Sequence, residues 1–477
     1  MRRNHYRSLL AALALVAVAL PTFAQRGSAD FTRYVVIGDS YGAGVSNASV
    51  VISHQIWSYP SVIARQVGIP ICGPDPACIG FQQPLVSEPG IGPELELRSI
   101  IPSVVIAPKS TQSGVPLNLN LPRPYNNLSV PGFRVGHLLT VTGTEQGSGA
   151  AQFILRGLGT SVQQALALQP TFMTIWIGGN DVLAGILAGT PAVMTPIDDF
   201  AAAYETMLDT LIAGAPNAGI VVGTIPDPLF LPFAQTIPPV LINPVTGEPL
   251  IVEGDPIFFF GDLGGGELGQ LPPGSLLTLN ALAFLRTGHG IPAALAPFFP
   301  PLPNIGQPLP DSVILTPTES AAIRERAAQI TETIRSLAGE RNIPVVDFQP
   351  FFDEIVEGID LAGIKLDASF ITGGIFSLDG FHLTDIGYTL FANEFIETIN
   401  EAYDTDIPLA PITPFFQNNA PIEELGFIPP GTAFSITDEG LASIMSFAPS
   451  PAPDSEDDDP AEPTRRRTIR RGTRGGQ

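Results

Sequence analysis

The chain has 477 residues, with 46 acidic and 23 basic side chains and a formal net charge of −23. Only two lysines occur, Lys109 and Lys365. A body this acidic repels nucleic acid, whose binding rests on neutralising phosphates, so a nucleic-acid partner is excluded, while the length fits one large domain or two.

Taken in chain order, Arg2, Arg3 and Arg7 precede the apolar run Leu9 to Leu20, and Pro21-Thr22-Phe23-Ala24 follows it. This pattern predicts a secretory signal peptide over 1–24. The run is short for a membrane span, and no cysteine follows it to carry a lipid. The mature chain is expected to start near Gln25 and to work outside the cytoplasm, in the periplasm or beyond the cell. Cys72 and Cys78, in CGPDPAC, are expected to form a local disulfide there.

Apolar runs at 34–37, 172–177 (FMTIWI), 219–224 (GIVVGT) and 344–347 (PVVD) read as buried parallel strands, with a shorter run at 127–130. Helical patterns follow at 198–213, at 318–338 with Thr318 as N-cap, and at 384–403. The alternation predicts a three-layer α/β/α sandwich on a mainly parallel sheet. One large domain, 25–404, is expected to carry Pro-rich apolar insertions at 70–125 and 226–315. A Pro-rich extension at 405–450 follows, and 451–477 has the composition of a disordered tail. The insertions are too apolar for disorder and are expected to cover the functional face.

The first strand runs into VVIGDSYGAG, Val35 to Gly44. A P-loop needs a lysine after its glycines, and this loop has no basic residue. Glycines at 38, 42 and 44 also miss the G-x-G-x-x-G spacing of a dinucleotide site. Gly38 to Gly42 does match G-x-S-x-G, yet Ser40 ends the first strand, whereas that elbow follows several strands in α/β-hydrolases, and no HGGG-type segment supplies an oxyanion hole.

A serine nucleophile needs a base, and the base an orienting acid. Of the five histidines, His5 lies in the signal segment, and His54, His137 and His289 read as packed or surface residues. His382 lies in Asp379-Gly380-Phe381-His382, just before a helix, where the acid can bond the far ring nitrogen. Asn180, in GGND beyond the third strong run, can aim its amide at an oxyanion. Gly132, in NLSVPG, can bring a bare N–H close, and the Ser40 N–H is a third donor. Asp39 and Asp181 are expected to be structural, bonding local backbone at the turn, with no chemical role.

These blocks, in this order, resemble the SGNH hydrolases, also called the GDSL family. The resemblance implies Ser40 as nucleophile, Asp379 and His382 as the rest of a triad, and Ser40, Gly132 and Asn180 as the oxyanion hole. It also implies a flavodoxin-like five-stranded sheet and no metal or organic cofactor. Tyr41 departs from the leucine of GDSL. The expected activity is hydrolysis of carboxylic esters, with lipid or medium-chain acyl groups favoured by the apolar insertions. Deacetylation of polysaccharides and a non-catalytic binding role are the alternatives. A monomer with peripheral lipid contact is expected.

Overall fold

The four longest buried apolar runs become the core sheet. The computed structural model describes residues 28–99, 103–145, 149–361, 363–417, 434–447 and 449. The expected signal peptide and tail lie outside the described residues. Strands β1 (Tyr34–Gly38), β2 (Phe172–Trp176), β3 (Gly219–Gly223) and β4 (Val345–Val346) pair in that order, all parallel. Every residue of β1 and β2 is buried, as expected for strands covered on both faces.

The expected strand at 127–130 is a partial one. It lies along β1 through Val36 N–H to Asn126 O (2.8 Å), Leu128 N–H to Val36 O (2.9 Å) and Val130 N–H to Gly38 O (3.0 Å). Only the Val36–Asn127 bridge results. Pro124 and Pro131 bracket the segment and lack the N–H that would extend a ladder. The sheet is therefore four strands plus a short edge segment rather than five full strands.

Two groups of helices cover the sheet. Helix α1 (Tyr59–Gln66) packs with α5 (Asp385–Tyr403), while α4 (Pro317–Glu340) packs with α2 (Gly179–Ala188) and α3 (Ile197–Gly214). Helix α4 starts earlier than expected. Thr316, not Thr318, is its N-cap, in a reciprocal capping box with Glu319 and with Pro317 in the first turn. Thr384 caps α5 by accepting from Gly387 N–H at 3.1 Å. Beneath the carboxyl ends of the strands, the Trp176 indole stacks on Phe348 (4.3 Å between centroids) and on Phe391 (5.5 Å), with Tyr41 4.9 Å away.

The insertions hold more regular structure than their composition predicts. Leu95–Ser99 and Val104–Pro108 form a hairpin. In the second insertion, Phe260–Asp262 pairs with Leu268–Gln270, and Leu276–Leu277 with Ile314–Leu315. Such two- and three-residue ladders are too short to leave a period in the sequence. Cys72 and Cys78 are disulfide-bonded. The C-terminal extension supplies a strand, Phe434–Ile436, parallel to the hairpin strand Val104–Pro108, and a helix, Asp438–Met445.

Candidate active site

Ser40 opens the one-turn helix Ser40–Ala43 directly after β1. Asp39 caps it by accepting from Tyr41 N–H at 3.0 Å, which leaves the Ser40 N–H, at the first helical position, without an intrahelical acceptor. Ser40 is 8 % exposed. The glycines beside it make room for the neighbouring backbone and the edge segment. A side chain at Gly38 would strike the Trp176 carbonyl at 2.7 Å, and one at Gly42 would strike Ser129 Oγ at 2.1 Å. They let β1 and its turn lie against β2 and the edge segment.

His382 and Asp379 come together in the turn before α5. His382 Nδ1 lies 2.9 Å from Asp379 Oδ2, and both side chains are buried. Asp379 accepts three further hydrogen bonds, from Phe381 N–H (3.0 Å) and His382 N–H (2.8 Å) on Oδ1, and from Ala48 N–H (2.7 Å) on Oδ2. Burial pushes its carboxyl up, but the imidazole and these donors outweigh burial and hold it below its ordinary value. An ionised Asp379 on Nδ1 leaves Nε2 as the free ring nitrogen.

Ser40, Asn180 and His382 line one cavity. Its remaining wall is Asp39, Tyr41, Gly179 and the apolar side chains of Leu183, Ile225, Pro226, Pro228, Leu231, Phe352, Phe381 and Phe391. The space open to the centre of a water molecule is about 60 Å³. Asn180 follows Gly178, whose φ of 115° admits glycine only, and it donates through Nδ2 to Phe133 O at 3.0 Å. Its amide carries a second N–H. Gly132 has φ 79° and precedes the Phe133 carbonyl that Asn180 grips, but it is not among the lining residues. The first part of the 226–315 insertion reaches the cavity; the 70–125 insertion does not line it.

Asp39 bonds the local backbone as expected, at Tyr41 N–H, whereas Asp181 reaches beyond its own turn. Asp181 accepts from Thr195 Oγ1 (2.7 Å) and from the distant Val135 N–H (3.1 Å), pinning the turn after Gly132 to α2. Burial raises it to about 6. Asp39 rises to about 7, chiefly by burial and further by the charge of Asp181, against the Tyr41 N–H that lowers it.

Sequence reasoning missed the residues that hold the His382 turn. Asn47 and Ala48 have φ of 51° and 52°, the left-handed region that few non-glycine residues adopt. This strained turn aims Ala48 N–H at Asp379, while Asn47 donates N–H to Ser377 Oγ (2.9 Å) and accepts from Leu378 N–H (3.1 Å). Asn47 Nδ2 in turn donates to Glu94 Oε1 at 3.1 Å. Glu94 meets His54 Nε2 at 3.0 Å and Lys109 Nζ at 3.2 Å, and His54 Nδ1 meets Asp385 Oδ1 at 2.8 Å. His54 is thus a packed histidine clamped by two carboxylates. Burial lowers it, but both acids outweigh that and lift it to about 10. Tyr41 donates its hydroxyl to Phe381 O at 2.7 Å, and Phe233 N–H donates to Gly380 O at 2.9 Å. The tyrosine in place of leucine therefore ties the serine turn to the histidine turn.

The sequence profile of the GDSL-like lipase/acylhydrolase family matches residues 34–395, from the first residue of β1 into α5. The chain belongs to that family. Membership places this GDSL-family chain among the carboxylic ester hydrolases. No curated protein sequence is similar enough to count as a match. Solved structures with a similar course include a GDSL-like lipase from Parabacteroides merdae (14 % identity, 77 % of this chain and 96 % of that one, TM-score 0.31). A mutant of an acetylxylan esterase from Geobacillus stearothermophilus shares 12 % identity over 77 % and 93 % of the two chains, TM-score 0.31. An extracellular lipase from Streptomyces rimosus shares 14 % over 77 % and 98 %, TM-score 0.31.

Proposed function

We propose that this GDSL-family chain cleaves carboxylic esters with apolar acyl groups of short to medium length, through an acyl-enzyme on Ser40. The observation that carries the reading is the single cavity in which Ser40, Asn180 and His382 face a wall of aliphatic and aromatic side chains. In this mechanism His382 Nε2 takes the Ser40 proton as Oγ attacks the ester carbonyl. Asp379 holds the imidazole and stabilises its cation. Ser40 N–H, the free Asn180 amide N–H and Gly132 N–H stabilise the oxyanion. His382 then protonates the leaving alcohol, and water, activated by the same imidazole, releases the acid. The acyl chain lies along Leu183, Ile225, Leu231 and Phe352.

Hydrolysis of p-nitrophenyl esters from acetyl to palmitoyl tests the reading. Activity is expected to peak at short to medium chains and to fall about 10⁴-fold or more in Ser40→Ala. Equal turnover by both proteins would refute it, and acetate release from acetylated glycans far above any longer-acyl activity would replace it with polysaccharide deacetylation. We also propose export, supported by the arginine-flanked apolar run at the N-terminus and the Cys72–Cys78 disulfide. N-terminal sequencing of the native protein is expected to begin near Gln25; a chain beginning at Met1 would overturn export by a cleaved signal.

A further inference from the structure

The family match ends at residue 395, yet a segment about forty residues further on returns to the candidate active site. Phe434–Ile436 adds a strand to the Val104–Pro108 edge. Thr437 caps the helix Asp438–Met445 through Gly440 N–H at 3.1 Å, and Leu441 and Ile444 are buried beneath it. The helix is fastened to the 226–315 insertion. Asn280 Nδ2 lies 3.1 Å from Met445 Sδ, and Arg286 pairs with Asp438. Phe434 packs on Phe370 with centroids 5.2 Å apart.

The segment delivers Phe447. Its ring stands edge to face on the His382 imidazole, 5.9 Å between centroids at 83°, and it is 8 % exposed. The ring also lies close to Gly92. A side-chain carbon there would come within 2.7 Å of Phe447 Cε2 and 2.7 Å of Ala48 O. Ala48 is the residue whose N–H holds Asp379. Gly92 thus sits between Phe447 and the turn that supports the acid, while the ring of Phe447 faces the imidazole that the acid orients. It is not among the residues lining the acyl cavity; the ring contact it makes near the site is with His382.

We propose that Phe447 is a positioning residue that seals the Asp379–His382 pair against water and holds the imidazole plane. The segment 434–447 is then a working part of the enzyme. Water that reached the Nδ1–H would compete for Asp379, and the hydrogen bond strengthened by exclusion of water would loosen. A base tilted off Ser40 slows proton transfer without changing how substrate is held. The inference rests on the reading of Ser40, His382 and Asp379 as the reacting set.

The test compares full-length wild type with Phe447→Ala, and with Phe447→Val and Phe447→Leu. Steady-state hydrolysis of p-nitrophenyl butyrate is paired with the downfield proton resonance of the His382 Nδ1–H in water. Phe447→Ala is expected to lose roughly ten- to a hundredfold in kcat with KM little changed. Its imidazole resonance is expected to broaden through faster exchange with water, and Phe447→Leu to restore both partly. Should Phe447→Ala fail to fold, Phe447→Val is held to the same two readouts. Wild-type kcat together with a sharp resonance in a folded small-residue variant would overturn the proposal and leave the ester-hydrolase reading intact. If wild type itself were inert towards esters, that reading would fail, and the resonance would still decide whether Phe447 seals the pair.

Discussion

Replacing His54 by glutamine removes a charge clamped between Glu94 and Asp385, and the structure sets both the size and the pH window of the loss. His54 rises from 6.5 to about 10 in the fold. A raised histidine contributes its full stabilisation below 6.5 and loses it as pH climbs through about 10, at about 1.4 kcal/mol per pH unit. The whole span is therefore worth at most about 5 kcal/mol. Glu94 gives a lower figure: burial raises it, and His54, Lys109 and Asn47 outweigh burial to bring it from 4.5 to about 2. That span is worth about 3 kcal/mol before screening by solvent at its rim. Glu94 is faced by His54 and by Lys109, whose side chain is half-exposed, whereas two partly buried carboxylates face His54. Denaturant midpoints of wild type and His54→Gln at pH 6.5 and pH 10 check this. The variant is expected to be less stable by a few kcal/mol at pH 6.5 and nearly level with wild type at pH 10. The double difference cancels the tyrosines and lysines that titrate in the same range. Parallel losses at both pH values would refute the charged clamp. Because Glu94 also holds Asn47, kcat is expected to fall with stability at pH 6.5.

Asp39→Asn is expected to shift in the same direction, in a lower pH window. A buried carboxyl raised from 3.8 to about 7 costs nothing below pH 4 and up to about 4 kcal/mol above pH 7. The variant, whose Oδ1 can still accept from Tyr41 N–H, should gain on wild type as pH rises from 4 to 8. An unchanging difference in denaturant midpoint would contradict this. Asn180→Ala is expected to lower kcat by about 10²–10³ with a small change in KM; a kcat within threefold of wild type would remove Asn180 from the oxyanion site. Phe352→Ala, which deepens the apolar wall, is expected to move the preferred acyl chain towards longer esters, measured on the same p-nitrophenyl series, and an unmoved optimum would place the acyl chain elsewhere.

Much of the sheet could be read from the sequence because strands buried on both faces are written as unbroken apolar runs, as in 172–176 and 219–223. Ser40, Asn180, Asp379 and His382 stand at strand ends or before a helix cap, and each such position has a local signature. The edge segment at 126–130 was harder to bound, because its pairing is cut off by flanking prolines rather than by its own residues. The capping box at Thr316 was present in TPTE, with Pro317 in the first helical turn. Asn47, Ala48, Glu94 and Phe447 left no trace of their roles. Their partners lie far along the chain: Ala48 meets Asp379 across 331 positions. A hydrogen bond or ring contact at that separation produces no period and no motif. Glu94 and Gly92 sit in a stretch whose proline-rich composition reads as mere covering.

The distance along the chain between the serine turn and its partners also governs when the enzyme comes into being. Ser40 belongs to the first strand to leave the ribosome, its imidazole to the turn before the last long helix, and Phe447 to the segment after that. On the proposed mechanism, a nascent chain halted anywhere before residue 382 carries the nucleophile with no base to activate it. Parallel pairing and closures of more than 300 residues are slow to form, so on that mechanism the site closes only once the whole chain is available. On that mechanism, fragments ending before residue 382 are expected to be hydrolytically silent.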